Sequence, residues 1–316
     1  MSHVGRDLQR RSFFKLDHYR RILLEPRLAP PALADIDARL AQIPWSDVGE
    51  LREDLRVFYH PATLAQIGAL RRYLVAREES GSLDAVDRWI RMVAVNRLTG
   101  HSVGFFSVYT LPPNQAVSLD AQVKINARRE QVPPVRDVPA LILRKSRALL
   151  ASCRDGGQTP AARPARLVTG PASATPAIAA DSVDLVVTSP PFLDVVDYAG
   201  DNWLRCWFCG IDPASVGITM ARKASDWQAA MRAVFVELHR VLRPGRSIAF
   251  EVGEVRGGTV RLEDLVLPSA LAAGLEPRLV VVNAQQFTKT ANCWGVDNNS
   301  KGTNTNRIVL LQKPAD

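Results

Sequence analysis

The chain has 316 residues, 47% of them hydrophobic and 23% charged, and a formal net charge of +8. That composition supplies ample core for one large or two small globular domains. No run of about eighteen apolar residues occurs, which argues against a membrane span. The basic start Met1–Arg6 leads into no apolar segment of secretory type. Cys153, Cys206, Cys209 and Cys293 form no evenly spaced framework, so a reducing, cytoplasmic setting is expected. The charge is uneven: residues 1–170 hold 26 Lys and Arg against 17 Asp and Glu, and residues 171–316 hold 14 against 15. A localised basic surplus points to an anionic partner, with phosphate backbones the commonest; an Arg-rich composition gives the same surplus without any partner.

In chain order, Ser12 to Leu24 reads as a helix broken by Pro26, Pro30 and Pro31, with another starting at Asp35. Residues 61–79 read as a helix beginning near Pro61, with Leu64, Ile67, Leu70, Leu74 and Val75 on one stripe. Asp84 to Leu98 gives a further helix. His101 to Pro113 reads as an ordered loop rich in Gly, Ser and aromatic residues. Ser118 to Glu130 and Val138 to Leu150 read as two more helices. Residues 154–165 form a Gly/Pro/Ala linker, dividing a helical region, 1–153, from a second domain, 166–316.

The second domain changes character. Arg166 to Thr169 reads as a short strand, and Val183 to Thr188 as a continuous apolar strand of the kind buried in parallel sheets. Asp226 to Leu242 is an amphipathic helix ended by Arg243-Pro244-Gly245. A strand at Ser247–Val252, a helix at Leu262–Ala273, and strands at Leu279–Asn283 and Arg307–Leu311 follow. Strands alternating with helices predict a doubly wound α/β sheet.

Thr188-Ser189-Pro190-Pro191-Phe192 closes the apolar strand, and in open α/β sheets ligands bind outside the carboxyl ends of strands. An exocyclic amine on a nucleobase is a poor nucleophile, because its lone pair is conjugated into the ring. A short polar side chain, Ser189, and the carbonyl of Pro190 can accept its hydrogens and draw that lone pair outward. The prolines fix where the carbonyl points, and Phe192 offers a flat face for a base turned out of its stack. A bare Ser-Pro-Pro-Phe more often marks a turn. Here it caps a buried strand, follows Asp181-Ser182-Val183-Asp184, and precedes Leu238-His239-Arg240-Val241-Leu242-Arg243-Pro244-Gly245.

On those residues the chain resembles the site-specific DNA amino-methyltransferases of the cytosine-N4/adenine-N6 type. Asn304-Thr305-Asn306-Arg307-Ile308-Val309-Leu310 is similar to the family's last polar loop and strand. His101–Ser107, Pro112-Pro113-Asn114-Gln115, Lys124-Ile125-Asn126 and Arg136-Asp137-Val138 resemble a helical insert found in some members. The resemblance covers roughly residues 50–313. It implies an α/β, Rossmann-like doubly wound methyltransferase sheet behind an N-terminal helical region, S-adenosyl-L-methionine as methyl donor, and double-stranded DNA as partner. Ser189, Pro190, Pro191 and Phe192 would be catalytic, and Thr169, Gly170 and Ser189 would lie near the donor. Serine in the first motif position points to cytosine N4, with adenine N6 or an RNA base as alternatives. A restriction-modification role and a cytoplasmic location go with the family.

The sequence also departs from that pattern. The family's Gly-rich donor turn, Phe-x-Gly-x-Gly, is not found in residues 1–60, and Phe250-Glu251-Val252-Gly253-Glu254 reads as sheet packing. The turn Thr169-Gly170-Pro171-Ala172-Ser173 lacks the expected carboxylate, so the first strands of the sheet are expected to be absent or replaced. A start upstream of Met1, a second subunit supplying the donor-binding motif, or nucleic-acid binding without catalysis would each account for this. Lys124, Arg128, Arg129, Arg136 and Lys145 are the candidate DNA contacts, against a plain solvated helix face; Arg144 and Arg147 lie beside them. Asn114 and Gln115 are equally open to loop polarity. Asp194, Asp197 and Tyr198 follow the motif closely enough to line a pocket, and Asp201 and Trp203 read equally as structural. Asn298–Asn304 reads as a closing loop or a plain connection. Cys206-x-x-Cys209 lacks further ligands at zinc spacing, so no metal is expected and buried packing is favoured. No Walker-type phosphate loop occurs.

Overall fold

The computed structural model describes residues 16–110, 116–155, 167–168, 170–190, 193, 198–212, 221, 223–255, 259–284 and 305–315. The chain divides into two compact units. One comprises Ile22–Pro164 and Tyr198–Ser215, and the other Met1–Arg21, Ala165–Asp197 and Val216–Asp316.

The first unit is helical. It contains the Ile22–Leu28 part of α1 (Leu16–Leu28), α2 (Leu33–Gln42), a 3-10 turn (Glu53–Val57), α3 (Pro61–Glu79), α4 (Ala85–Val95), α5 (Leu119–Arg129), α6 (Val138–Asp155) and α7 (Tyr198–Phe208). α1 runs through Pro26 where the sequence predicts a break. Ile22 and Pro26 are both buried one turn apart, so packing outweighs the single hydrogen bond the proline forfeits. α3 starts on Pro61 at its first turn, and α4 is capped by Asp84 in a reciprocal pairing with Asp87. Asp87 is fully buried and neutralised by Arg39 and Arg77 from α2 and α3, with Tyr73 Oη donating at 3.3 Å. Asn126 in α5 is a second joint: its Nδ2 donates to Val57 O at 2.7 Å, while its Oδ1 accepts from Gln122 and Gln131.

Chain order alone places residues 198–215 with the sheet, yet they join the helical unit. The reason is the apolar face of α7. Leu204, Cys206, Phe208 and Cys209 are buried, and the Trp203 ring lies 6.2 Å from Phe58 with its Nε1 donating to Ala116 O at 3.2 Å. Burial raises the Cys206 thiol above its usual range and pushes Cys209 up to about 12. Among the described residues no cluster of ligating side chains could hold a metal ion, and no helix is long and apolar enough to cross a membrane.

The second unit is a mixed α/β sheet of Rossmann-like type. β1 (Val183–Thr188) pairs in parallel with β2 (Leu242–Val255), and β5 (Thr305–Gln312) lies antiparallel between β2 and β4 (Glu276–Ala284). A short β3 (Val260–Arg261) pairs with the end of β2. Among the described residues no strand precedes β1. Leu167 and Val168, expected in a strand, have no regular structure. β2 begins earlier than its sequence suggests, taking in Pro244 and Gly245 through an irregularity that sets Val183 opposite Leu242 and Leu185 opposite Ser247.

α8 (Ala224–Val241) and α9 (Glu263–Leu271) pack together on one face of the sheet. Trp227, Met231, Phe235 and Leu238 recur at helical spacing along α8 and meet Val186, Ile248, Phe250, Val252, Val309 and Leu311 at alternate strand positions. Phe235 and Phe250 form the centre, with ring centroids 4.8 Å apart.

Candidate active site at the carboxyl ends of the parallel strands

Two sequence motifs form one structural joint away from the site. Asp184 accepts two hydrogen bonds from Arg243 Nη1 at 2.7 and 2.8 Å, and Asp181 pairs with Lys313 at 2.6 Å. The backbone N–H groups of Asp181 and Ser182 donate to the carbonyls of Arg240 and Val241. The Arg240 guanidinium spans Glu237 and the carbonyls of Thr175 and Ile178. Arg240, supported by hydrogen bonds from Thr175, holds the Glu237 carboxyl down at about 2. Asp181, just before β1, and Asp184, within it, therefore join the Arg-Val-Leu-Arg-Pro-Gly segment that runs from the end of α8 into β2 and lock the amino ends of β1 and β2 in register.

The opposite, carboxyl ends carry the predicted motif. Thr188 closes β1 opposite Phe250 and is 3% exposed. Pro190 is buried and Ser189 half-buried. Leu193 is fully buried in the core under α8. The segment carrying Ser189 and Pro190 is thus pinned on one side by the sheet and on the other by the core. That leaves a hydroxyl and a carbonyl oxygen as acceptors with limited freedom, which is the arrangement positional catalysis requires.

The neighbouring strands bring further polar residues to the same end. Gly253 of β2 lies opposite Asn306 of β5, which in turn lies opposite Asn283 of β4. Arg307 occupies a core-facing position in line with Val309 and Leu311, and it is paired with Glu263 at the start of α9 at 2.5 Å. Both side chains are only about 10% exposed (10% and 11%). Sequence reasoning missed this pair. Its signal was a charged residue at an inward position of an alternating strand, which requires a partner. Phe250 and Val252 are buried in the core, in keeping with the packing role read from sequence.

The other predicted residues are dispersed. Gly170 is described, with φ 150°, and Thr169 lies outside the described residues, as do Pro191, Phe192, Asn114, Gln115, Asp194, Asp197 and Asn298–Asn304. Tyr198, Asp201 and Trp203 belong to α7 in the helical unit. Lys124, Arg128 and Arg129 are exposed on α5, and the Arg129 guanidinium lies 3.7 Å from the Tyr109 ring centroid. Arg136 is half-buried in the connection to α6, with Nε enclosed and without a hydrogen-bond partner among the described residues. Lys145 is half-exposed on α6, flanked by exposed Arg144 and Arg147. The insert-like residues split accordingly: Asn126 ties elements together, while the cations of α5 and α6 face solvent.

No protein-family model matches this chain, and no curated protein matches it. Partial likenesses exist among solved structures. A candidate DNA modification methylase from Thermus thermophilus, in complex with S-adenosyl-L-methionine, is 18% identical over 44% of this chain and 49% of that one, with a TM-score of 0.26. A SAM-dependent methyltransferase from Methanosarcina mazei is 10% identical over 54% and 79%, with a TM-score of 0.30. A candidate sarcosine dimethylglycine methyltransferase from Galdieria sulphuraria is 13% identical over 89% and 99%, with a TM-score of 0.29. The chain spans about half the length of the Thermus methylase. At these scores the superpositions fix nothing further, and the fold rests on the strand order itself.

Proposed function

We propose that this chain is the amine-positioning part of an S-adenosyl-L-methionine-dependent DNA methyltransferase, acting on the exocyclic amine of cytosine at N4. The observation that carries the reading is the pinned Ser189–Pro190 segment at the carboxyl end of β1, beside its parallel neighbour β2. Ser189 Oγ and the Pro190 carbonyl accept the two amine hydrogens, turning the lone pair away from ring conjugation and holding it for attack. Proximity and fixed dipoles supply the rate. Exposed cations on α5 and α6 attract the phosphate backbone.

S-adenosyl-L-methionine would supply an electrophilic methyl group. The described residues do not by themselves fit that donor. The turn from Gly170 to Thr175 contains no carboxylate, and its Thr175 hydroxyl is already committed to Glu237. This favours a second reading, in which a donor-binding subunit completes the enzyme. One observation supports it. The sheet face opposite α8 and α9 carries Leu279 at 55% and Val281 at 40% exposure, beside half-buried Ile308 and Leu310.

The test is transfer of labelled methyl to duplex DNA, compared with structured RNA, followed by identification of the modified base. Ser189→Ala should lower transfer by about 10²-fold or more and leave DNA affinity within about twofold. Near-wild-type turnover in that variant would remove Ser189 from the reaction. Methyl transfer that appears only on adding a second polypeptide would establish the split arrangement.

A further inference from the structure

The helical unit contains a cleft of about 420 Å³ that the proposed reaction does not use. It lies where the 48–52 loop meets α3 and α7, and its walls include Arg52, Arg71, Arg72 and Trp207, with Val48 and Leu51 as the apolar part. The loop reaches α3 because two glycines make room. A Cβ on Gly68 would sit 2.8 Å from Leu51 Cδ2, and one on Gly49, whose φ is 54°, would overlap the Arg72 guanidinium.

The three guanidinium groups are not equivalent. Arg52 is bound to Asp54, and its guanidinium lies 5.4 Å from the Trp203 ring centroid. Arg72 pairs with exposed Asp47 at 2.6 Å. Arg71 has only neutral hydrogen-bonding and stacking partners among the described residues. Its Nε donates to Trp207 O at 2.7 Å, and its guanidinium lies 5.3 Å from the Trp207 ring centroid. It is half-buried, and burial lowers its proton affinity. A partly desolvated cation with no carboxylate in contact is costly, and here it stands at the wall of an open cleft. Trp203 and Trp207, four residues apart on α7, each hold one arginine by its flat face. A stacked guanidinium keeps its N–H edge available for a bidentate oxyanion. Glu50 is the single carboxylate on the lining and is exposed.

We propose that this cleft binds a phosphate group carried on a nucleoside, with Arg71 as its principal ligand and Arg52 and Arg72 flanking it. A volume of this size exceeds what a simple carboxylate fills and matches a small organic ligand. Val48, Leu51 and the Trp207 edge provide apolar surface for a sugar or base. Asp47 and Asp54, already paired, lie off the lining, and the cleft sits in the half of the chain that carries the basic surplus. The phosphate has two sources: a nucleic-acid backbone or a free mononucleotide. The cleft belongs to the helical unit and Ser189 to the other, and its binding is tested without reference to methyl transfer.

The experiment is calorimetric titration of the full chain with inorganic phosphate and thymidine 5′-monophosphate, together with fluorescence anisotropy on a labelled twelve-nucleotide single strand. Arg71→Gln should weaken mononucleotide binding at least about tenfold. Arg71→Lys, which keeps the charge but loses the planar fork, should cost about threefold, and Arg232→Gln, at an exposed position on α8, should change nothing. Circular dichroism on each variant separates lost binding from lost folding, and Arg71→Lys keeps the test open if Arg71→Gln does not fold. If the backbone is the source, the mononucleotide competes with the single strand, and Arg71→Gln lowers the slope of log affinity against log salt by about one. If the free nucleotide is the source, the single strand neither competes nor responds to Arg71. Saturable mononucleotide binding of equal strength in wild type and both Arg71 variants overturns the proposal, as does its absence below about 10 mM, a ligand level at which even millimolar affinity would be saturating.

Discussion

The two faces of the sheet are built from the same strands and look quite different. On one face Val186, Ile248, Phe250, Val252, Val309 and Leu311 are at most 1% exposed beneath α8 and α9. On the other, Val187, Ala249, Leu310 and Ile308 are half-buried, and Leu279 and Val281 lie largely open. Strand registers place Leu279 beside Leu310 and Val281 beside Ile308, so these residues form one continuous apolar patch. The covered face is closed by helices adjacent in sequence to its strands except along the edge strand β4, where Val282, opposite Arg307, is 53% exposed. The open face carries residues suited to a second layer that the described part of the chain does not provide.

The largest expected effect breaks the covered face. Phe235→Ala removes the ring packed on Phe250 and should cost about 3–5 kcal/mol in urea unfolding, with the slope of the transition unchanged. A loss below about 1 kcal/mol would mean that α8 is not docked as described.

That covered face is also the part the sequence displays best. β1 falls on Val183–Thr188 as expected, because a short apolar run between turn signals has few other solutions. α3 falls on Pro61–Glu79 because a proline start and a long stripe agree. Residues whose role is set by distant partners were harder to read. Asn126 belongs to an insert-like motif, yet it serves as a hydrogen-bonding joint to Val57, 69 residues away. α7 follows the Ser-Pro-Pro-Phe motif in the chain but packs with Phe58 and Ala116 in the other unit. Of the site, Ser189 and Pro190 could be named from their position after a buried strand. The Arg307–Glu263 pair and the arginine cleft depend on contacts between segments that periodicity does not relate.

A smaller effect probes the joint at the sheet's amino end. The Glu237 carboxyl is held at about 2 by Arg240, below its ordinary value. Its folded-state value is depressed, so the stabilisation is fully present above the unfolded carboxyl range and is lost as pH falls towards 2. Glu237→Gln should remove on the order of 1–3 kcal/mol at pH 7 and flatten the loss of stability between about pH 5 and pH 2. A variant whose stability declines with acid as steeply as wild type would show that other carboxylates dominate this range.

The smallest effect is the most informative about the open face. Leu279→Ser exchanges a large apolar side chain for a small polar one at a position 55% exposed. In the isolated chain it should change stability by no more than about 0.5 kcal/mol, far below the cost of Phe235→Ala. If a donor-binding subunit covers this face, the same substitution should leave the free chain intact and weaken the complex, because burying a hydroxyl without a partner is unfavourable. A loss of several kcal/mol in the isolated chain would instead mean that the face is already covered in solution by the chain itself. The contrast between the two faces would then belong to the described residues alone, and the case for a completing subunit would lose its structural support.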